Sequence, residues 1–436
     1  MRNLGGGSDH PVVIAPKHSR FLSIPKGLIL AEHEAESSGP TFPQGFLASG
    51  IAAGLKESAR PDMGVIAVSP EWRGAAASAG VFTTNAFAAA PVVLNRSECD
   101  LGGFVAVVVN SGNANACTGE AGLSTARATQ VATAEALGVD KTAVAVASTG
   151  IIGMQMDCAR AAAGARQAAE EAHAQGGADF GRSIITTDRF PKACAGTVKT
   201  SAGSIGIGAC CKGAGMISPA MATMLCFVTT DAELTRQQAK SLLEGAVARS
   251  FNQVTVDGEM STNDSVFLLA SGASGVKPDA LALEELSRSL DAILMRLALM
   301  MVADGEGATK IMRLRVVGAD SAGTATLVAR AVADSPLVKT AMNGGDPNWG
   351  RIISAAGAAL AGRSLPDASL QLCGVTVVEK GAACPVPRPE RAHMAAEMKM
   401  PEIDIRLNLG LGDSSTEIFF ADLGHEYITI NAEYHS

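Results

Sequence analysis

Runs that are apolar at nearly every position recur along this chain: residues 104–109 (FVAVVV), 142–147 (TAVAVA, after its leading Thr), 223–228 (TMLCFV, after its leading Thr) and 266–270 (VFLLA). An unbroken apolar run of this length, bounded by turn-forming residues, reads as a strand buried on both faces. Between these runs lie helical stretches. Residues 123–137 form one, and the Ala-rich stretch 157–173 forms another with Asp157 as its N-cap. Residues 234–249 make a helix opened by Thr230-Asp231, and 280–302 make a long amphipathic one. The alternation begins near Gly45, after an extended lead-in rich in Gly, Pro and Ser. The remaining expectations are strand-like 192–211 broken by glycines, a loop at 212–219 (KGAGMISP), a strand at 314–317, a strand and a helix within 324–343, and a turn at 346–351. The end reads as β-rich, with strands at 370–378, 402–407, 417–420 and 427–431. Antiparallel and mixed sheets covered by helices suit this order better than a doubly wound nucleotide-binding fold.

Composition narrows the function classes. At 436 residues the chain makes two domains or one large layered one. Hydrophobic residues are 47% and aromatic residues only 4%, so the core must rely on small side chains and close backbone approach. A net charge of -8 leaves no basic stripe for nucleic acid. No apolar stretch approaches the roughly 20 residues of a membrane span. The first residues lack the apolar stretch of a secretory signal, while Arg2, Arg20 and nearby serines leave an organelle transit segment open. The nine cysteines form no CxxC pair, which fits free thiols in a reducing compartment. The seven histidines show no metal spacing, so no metal site is expected. The glycines at 203, 206, 208, 213 and 215 match neither a P-loop nor a dinucleotide fingerprint, and no GxSxG elbow occurs.

The most unusual local sequence is the abrupt start of an apolar strand at Thr223, directly after a Gly/Pro loop and the small Ala222. A Thr hydroxyl can attack the carbonyl on its own N-terminal side when the loop bends that peptide into reach. Hydrolysis of the resulting ester leaves Thr223 as a new chain end. Its α-amine, with an ordinary pKa of about 7.7–8.0, can then serve as general base for the adjacent hydroxyl. The attack is uphill, because an amide is more stable than an ester. A strained peptide, at roughly 1–3 kcal/mol per distorted dihedral, would help.

Residues 212–232, KGAGMISPAMATMLCFVTTDA, closely resemble the processing segment of the bifunctional ornithine acetyltransferase / glutamate N-acetyltransferase family of the ArgJ type. The likeness extends in order through VNSGNANACTG (109–119), ASTGIIG (147–153), TTD (186–188), DGEMSTNDS (257–265), DGEGATK (304–310), ADSPLVKTA (333–341), DPNWGRI (346–352) and INAEY (430–434). It covers residues 45–436. The resemblance implies an α/β fold, a layered αββα sandwich of the ornithine acetyltransferase and DmpA-like kind, self-cleaved into two intertwined chains. It implies cleavage between Ala222 and Thr223, an α chain 1–222 and a β chain 223–436, and Thr223 as nucleophile. It further implies an oxyanion hole at Thr149 and Gly150. Substrate contacts carry over to Thr186, Lys212, Thr223, Glu306, Asn431 and Ser436, residue types that suit an α-amino acid.

The implied reaction is ping-pong: N-acetylornithine acylates Thr223, ornithine leaves, and glutamate takes the acetyl group. Acetyl-CoA stays open as a second donor, and no metal or bound cofactor is implied. The family usually assembles as α2β2 and works in the cytoplasm, or in an organelle matrix in eukaryotes. Two departures put the acyl acceptor in question, Asn343 with Gly345 and Gly424 with His425, while Ser436, where many relatives end in Thr, keeps a hydroxyl and should change little. The stretch 415–420 is also unusually apolar. Three alternatives stay open: a self-processing aminopeptidase or amidase, a paralog with a changed acceptor, and a non-catalytic binding protein that keeps the fold.

Overall fold

The computed structural model describes residues 19–218 and 224–433. They fall into two compact units, one of residues 20–301 with 431–433 and one of residues 302–430 with residue 19. In the first unit the strands in chain order are β1 (Leu28–Leu30), β2 (Phe46–Ile51), β3 (Met63–Val68), β4 (Ala77–Phe82), β5 (Ala106–Asn113), β6 (Val144–Ile151), β7 (Lys192–Thr200), β8 (Gly203–Lys212), β9 (Leu225–Thr230), β10 (Val254–Thr255) and β11 (Ser265–Ala270). Its helices are α1 (Glu32–Ser37), α2 (Ala90–Glu98), α3 (Gly119–Leu137), α4 (Cys158–Glu170), α5 (Gly177–Ser183), α6 (Arg236–Ala248) and α7 (Ala280–Ala303), the last running to the edge of the second unit.

Two sheets face each other. One has the order β1-β7-β8-β9-β11-β4, the other β2-β3-β5-β6. The layer between them gathers much of the chain's scarce aromatic side chains. Phe227 stacks on Phe267 at 5.7 Å between ring centroids, and Phe180 meets Phe227 edge-on at 4.8 Å. Edge-on and offset pairs are the favoured arrangements of aromatic rings. The outer face of the β2-β3-β5-β6 sheet packs Met63, Val65, Val108 and Val146 against alanines of α3 and α4. The outer face of the other sheet meets α6 and α7 through Val228, Leu268, Leu242 and Leu290. This is an αββα sandwich, and β3, β9 and β11 are buried at every position because each sheet is covered on both faces. Close backbone approach replaces bulk, as expected. A Cβ on Gly177 would lie 1.7 Å from the Ser38 carbonyl oxygen.

The second unit is built on one sheet. Its strands are β12 (Ile311–Ala319), β13 (Ser369–Leu372), β14 (Val375–Glu379), β15 (Ala382–Ala383), β16 (Glu402–Asn408) and β17 (Ser414–Ala421), running β17-β12-β16-β13-β14-β15. Its helices are α8 (Ala322–Ala333), α9 (Pro336–Asn343), α10 (Trp349–Ala359), α11 (Arg388–Glu397) and α12 (His425–Glu433). One sheet face packs Leu314, Val316, Ile405 and Phe420 against Val328, Val332 and Ile352 of the helices. No helix among the described residues is long and apolar enough to cross a membrane.

Several local expectations change. The lead-in is partly structured, since β1 pairs with β7 and α1 follows. The 110–119 segment begins as strand, because β5 continues to Asn113 beside β6. The helix at 236 is opened not by Thr230-Asp231 but by Thr235 and Gln238, whose side chains each accept the other's backbone N–H. Residues 324–343 hold two helices and no strand, the second restarted by Ser335 and Pro336. The 427–431 segment is helix rather than strand. Its β-branched Ile428, Thr429 and Ile430 suggest a strand, but the helical cost of such residues is under about 0.7 kcal/mol each and context overrides it.

Candidate active site

Parallel pairing of β5 and β6 sets Ser111 beside Thr149 and Gly112 beside Gly150. Gly150 has φ +136, and a Cβ there would lie 2.3 Å from the Gly112 carbonyl carbon. Only glycine fits. The STG segment is thus the last stretch of β6 and not a turn after it. Buried Asn263 ties this end to the next sheet by donating to the carbonyls of Ser148 (2.8 Å) and Ala114 (2.6 Å).

Lys212 is the last residue of β8. Its ammonium donates to Thr186 Oγ1 at 2.8 Å and to Thr149 Oγ1 at 3.2 Å. An ammonium has donors only, so both hydroxyls must accept here. Their own protons are therefore turned elsewhere, and the nearby charge makes the Thr149 O–H a better donor. Asp188 underlies this group. Its carboxylate accepts from Lys192 Nζ at 2.6 Å, from Gly213 N at 2.7 Å and from Thr186 N at 3.1 Å. The Asp188 and Lys192 side chains are 0% exposed. Burial works against the Asp188 charge, but Lys192, Lys212 and the Gly213 N–H outweigh it and hold the carboxyl well below the usual range. Among the described residues, this hydrogen-bonded cluster brings together two buried ammonium groups and one carboxylate. Lys56 adds a third cation nearby. It donates to the Ile185 carbonyl at 2.8 Å, and its pKa is lowered to about 8, chiefly by burial.

The chain leaves β8 at Lys212 and re-enters the sheet at Leu225, directly opposite. Residues 254–265 grip both flanks of the connecting loop. On one side Asp257 accepts the amides of Met216 (2.5 Å) and Ile217 (2.8 Å), and Met216 sits at φ +57. On the other, Asp264 Oδ1 accepts the Met224 amide at 2.8 Å. Ala222 and Thr223 lie outside the described residues, as does Ser436.

The structure thus brings Thr149, Thr186 and Lys212 into one hydrogen-bonded group with Gly150 beside them in β6. Glu306, partly exposed, follows α7 in the second unit, and Asn431 is exposed on α12. Sequence reasoning did not single out Asp188, Lys192, Asn263, Asp264 or Lys56. The TTD and DGEMSTNDS blocks held three of these, but nothing in those blocks says which atoms they meet. Two departures from the family pattern prove to be neighbours: a Cβ on Gly424 would lie 3.0 Å from Asn343 Nδ2, and that amide donates to Asp422 at 2.8 Å. Among the described residues no group of histidine, cysteine and acidic side chains is arranged to hold a metal ion.

Residues 47–436 match the ArgJ family model. The arginine biosynthesis bifunctional protein ArgJ of Nitratidesulfovibrio vulgaris is 43% identical over 90% of this chain and 99% of its own length. Its counterpart in Bifidobacterium longum is 42% identical over 91% of this chain and 99% of its own. Among solved structures, an ornithine acetyltransferase complexed with ornithine from Mycobacterium tuberculosis is 37% identical, covers 44% of this chain and 98% of that chain, and gives a TM-score of 0.39.

Proposed function

Because the chain belongs to the ArgJ family, we propose that it is a self-processing acetyltransferase of arginine biosynthesis, moving the acetyl group of N-acetyl-L-ornithine to L-glutamate. The observation that carries this reading is the Lys212 ammonium, held between the hydroxyls of Thr149 and Thr186 where β8 ends beside the re-entering chain.

The chemistry runs in two stages. In processing, Thr223 Oγ attacks the Ala222 carbonyl, the C–N bond breaks, and the hydroxyl proton ends on the Thr223 nitrogen. Water then cleaves the ester, giving fragments 1–222 and 223–436. The cut falls between β8 and β9, which stay paired in one sheet and keep the fragments together. In transfer, the freed amine takes the Thr223 hydroxyl proton as Oγ attacks the acetyl carbonyl, and returns it to the departing ornithine nitrogen. The negative charge on the acetyl oxygen is met by the Gly150 amide and the Thr149 hydroxyl, and one such donor is worth on the order of 10²–10³ in rate. Glutamate reverses these steps as acceptor. Thr186, Lys212, Glu306, Asn431 and Ser436 bind the amino-acid ends, Lys212 suiting a carboxylate and Glu306 an ammonium. Acetyl-CoA serves as a second donor in a bifunctional enzyme. The same reading assigns an α2β2 assembly and a cytoplasmic setting, and needs no metal or bound cofactor.

Incubation with N-acetylornithine, with and without glutamate, tests it. Ornithine and N-acetylglutamate should appear in equal amounts only when glutamate is present. Free acetate forming at the same rate regardless of glutamate would contradict transfer and point to an amidase.

A further inference from the structure

One buried acid at this end of the sheet is not used by the mechanism above. Asp264 precedes β11, and its residue is 0% exposed. Its Oδ1 accepts the Met224 amide at 2.8 Å, while its Oδ2 has no hydrogen-bond partner among the described residues. Leaving a buried carboxyl oxygen unmatched is costly, and such groups are uncommon in native structures. The backbone around it is fixed from two sides. Ser265 N donates to the Met224 carbonyl at 3.1 Å, and Thr83 N donates to the Asp264 carbonyl at 2.9 Å. Met224 is therefore held at both its amide and its carbonyl by residues 264 and 265.

Met224 directly follows Thr223. The nitrogens of two consecutive residues are joined through only three bonds, so they lie at most about 4 Å apart. A side chain that holds the Met224 amide therefore acts on the residue bonded directly to Thr223. We propose that Asp264 is a positioning residue for the nucleophile, acting through the Met224 amide to set residue 223 for chain cleavage and for the acetyl transfer that follows. The inference rests on the acetyltransferase reading above and adds a role for a residue that reading leaves idle.

The electrostatics agree with this placement. Burial, only partly opposed by the Met224 N–H and the Lys212 charge, pushes the Asp264 carboxyl well above the ordinary range. Neutral or ionised, the carboxyl keeps an oxygen that accepts the Met224 N–H, so the contact does not depend on its charge.

The test compares Asp264→Asn and Asp264→Ala in the full-length chain. It follows the cleaved fraction with time, kcat and KM for N-acetylornithine on the cleaved protein, and melting temperature. The Asn amide keeps the acceptor without a charge, so that variant should cleave and turn over within about threefold of wild type. Asp264→Ala should cleave at least tenfold more slowly and lose at least tenfold in kcat, with KM within twofold. A merely structural residue would shift the melting temperature without this kcat-against-KM split. Should Asp264→Ala not fold, Asp264→Leu restores the bulk without the acceptor and is judged by the same figures. Wild-type cleavage and turnover in the Ala or Leu variant overturns the proposal, and so does an Asn variant as slow as Ala. The wild-type arm separates the two ideas. A wild-type chain that stays uncut sinks the acetyltransferase reading itself, and the role of Asp264 falls with it.

Discussion

Two charged networks, one in each compact unit, differ in how deeply they are buried. In residues 20–301 the charged cluster is dry: Asp188 and Lys192 are 0% exposed, and Lys212 is buried beside them. In residues 302–430 a second network runs along one sheet face and is half-buried. There Arg313 meets Asp404 at 2.8 Å and Arg315 meets the same carboxylate at 2.8 Å, with side chains 22–38% exposed. The difference follows from layering. A sheet covered on both faces has no wet side, so any charge in it needs a partner and a reason. A sheet covered on one face puts alternate residues in water, and Arg313 and Arg315 alternate along β12 with buried Met312, Leu314 and Val316. Charge in the Asp188 cluster can therefore shape chemistry, while charge along the β12 face is better screened.

Substitutions can break this contrast, and the largest effect is expected at Asp188. Asp188→Asn leaves Lys192 and Lys212 buried without their carboxylate, and should cost about 3–5 kcal/mol in denaturant unfolding. A loss below about 1 kcal/mol would mean water reaches the cluster. Next comes Thr149→Val, which removes a polarised donor and keeps the shape. It should lower kcat about 10²–10³-fold with little change in melting temperature. Wild-type turnover would take Thr149 out of the oxyanion hole.

Acidification probes the same cluster more gently. The Asp188 carboxyl is depressed in the folded state and ordinary, near pH ~3.9, in the unfolded one. Between the two values the unfolded chain binds more protons. The stability from this group is therefore complete above pH ~4 and is lost as pH falls below it. The stability gap between wild type and Asp188→Asn should narrow over that range, and a constant gap would deny the ionic origin. The smallest effect belongs to the β12 face: Asp404→Asn should change stability by no more than about 1 kcal/mol, and less at high salt. A loss as large as that at Asp188 would erase the contrast.

The same layering decides what was legible in the sequence. Strands β9 and β11 stand out because burial on both faces leaves an apolar run with no period to misread. The αββα sandwich could be named because its family segments occur in order, and the structure has those layers. Elements at the margins were harder. The α12 helix has no buried residue and is mostly exposed, so neither its 428–430 β-branched run nor its surroundings force a strand. The helix at 236 starts at a reciprocal cap formed by Thr235 and Gln238, and a generic Thr-Asp pair upstream looked equally suitable. At the site, Thr149, Thr186 and Lys212 could be nominated from motifs, and they do converge. Asp188, Asn263 and Asp264 could not, because their roles lie in backbone groups that only folding brings near: Gly213 N, the Ser148 carbonyl and Met224 N.

The central claim is that Thr223 becomes a nucleophile by being released from Ala222. Intact mass and N-terminal sequencing of the purified wild-type protein test it most directly. Two fragments are expected, the second beginning Thr-Met-Leu-Cys-Phe, and Thr223→Ala should remain one inactive chain. A wild-type protein that transfers acetyl groups as a single unbroken 44.3 kDa polypeptide would contradict the account.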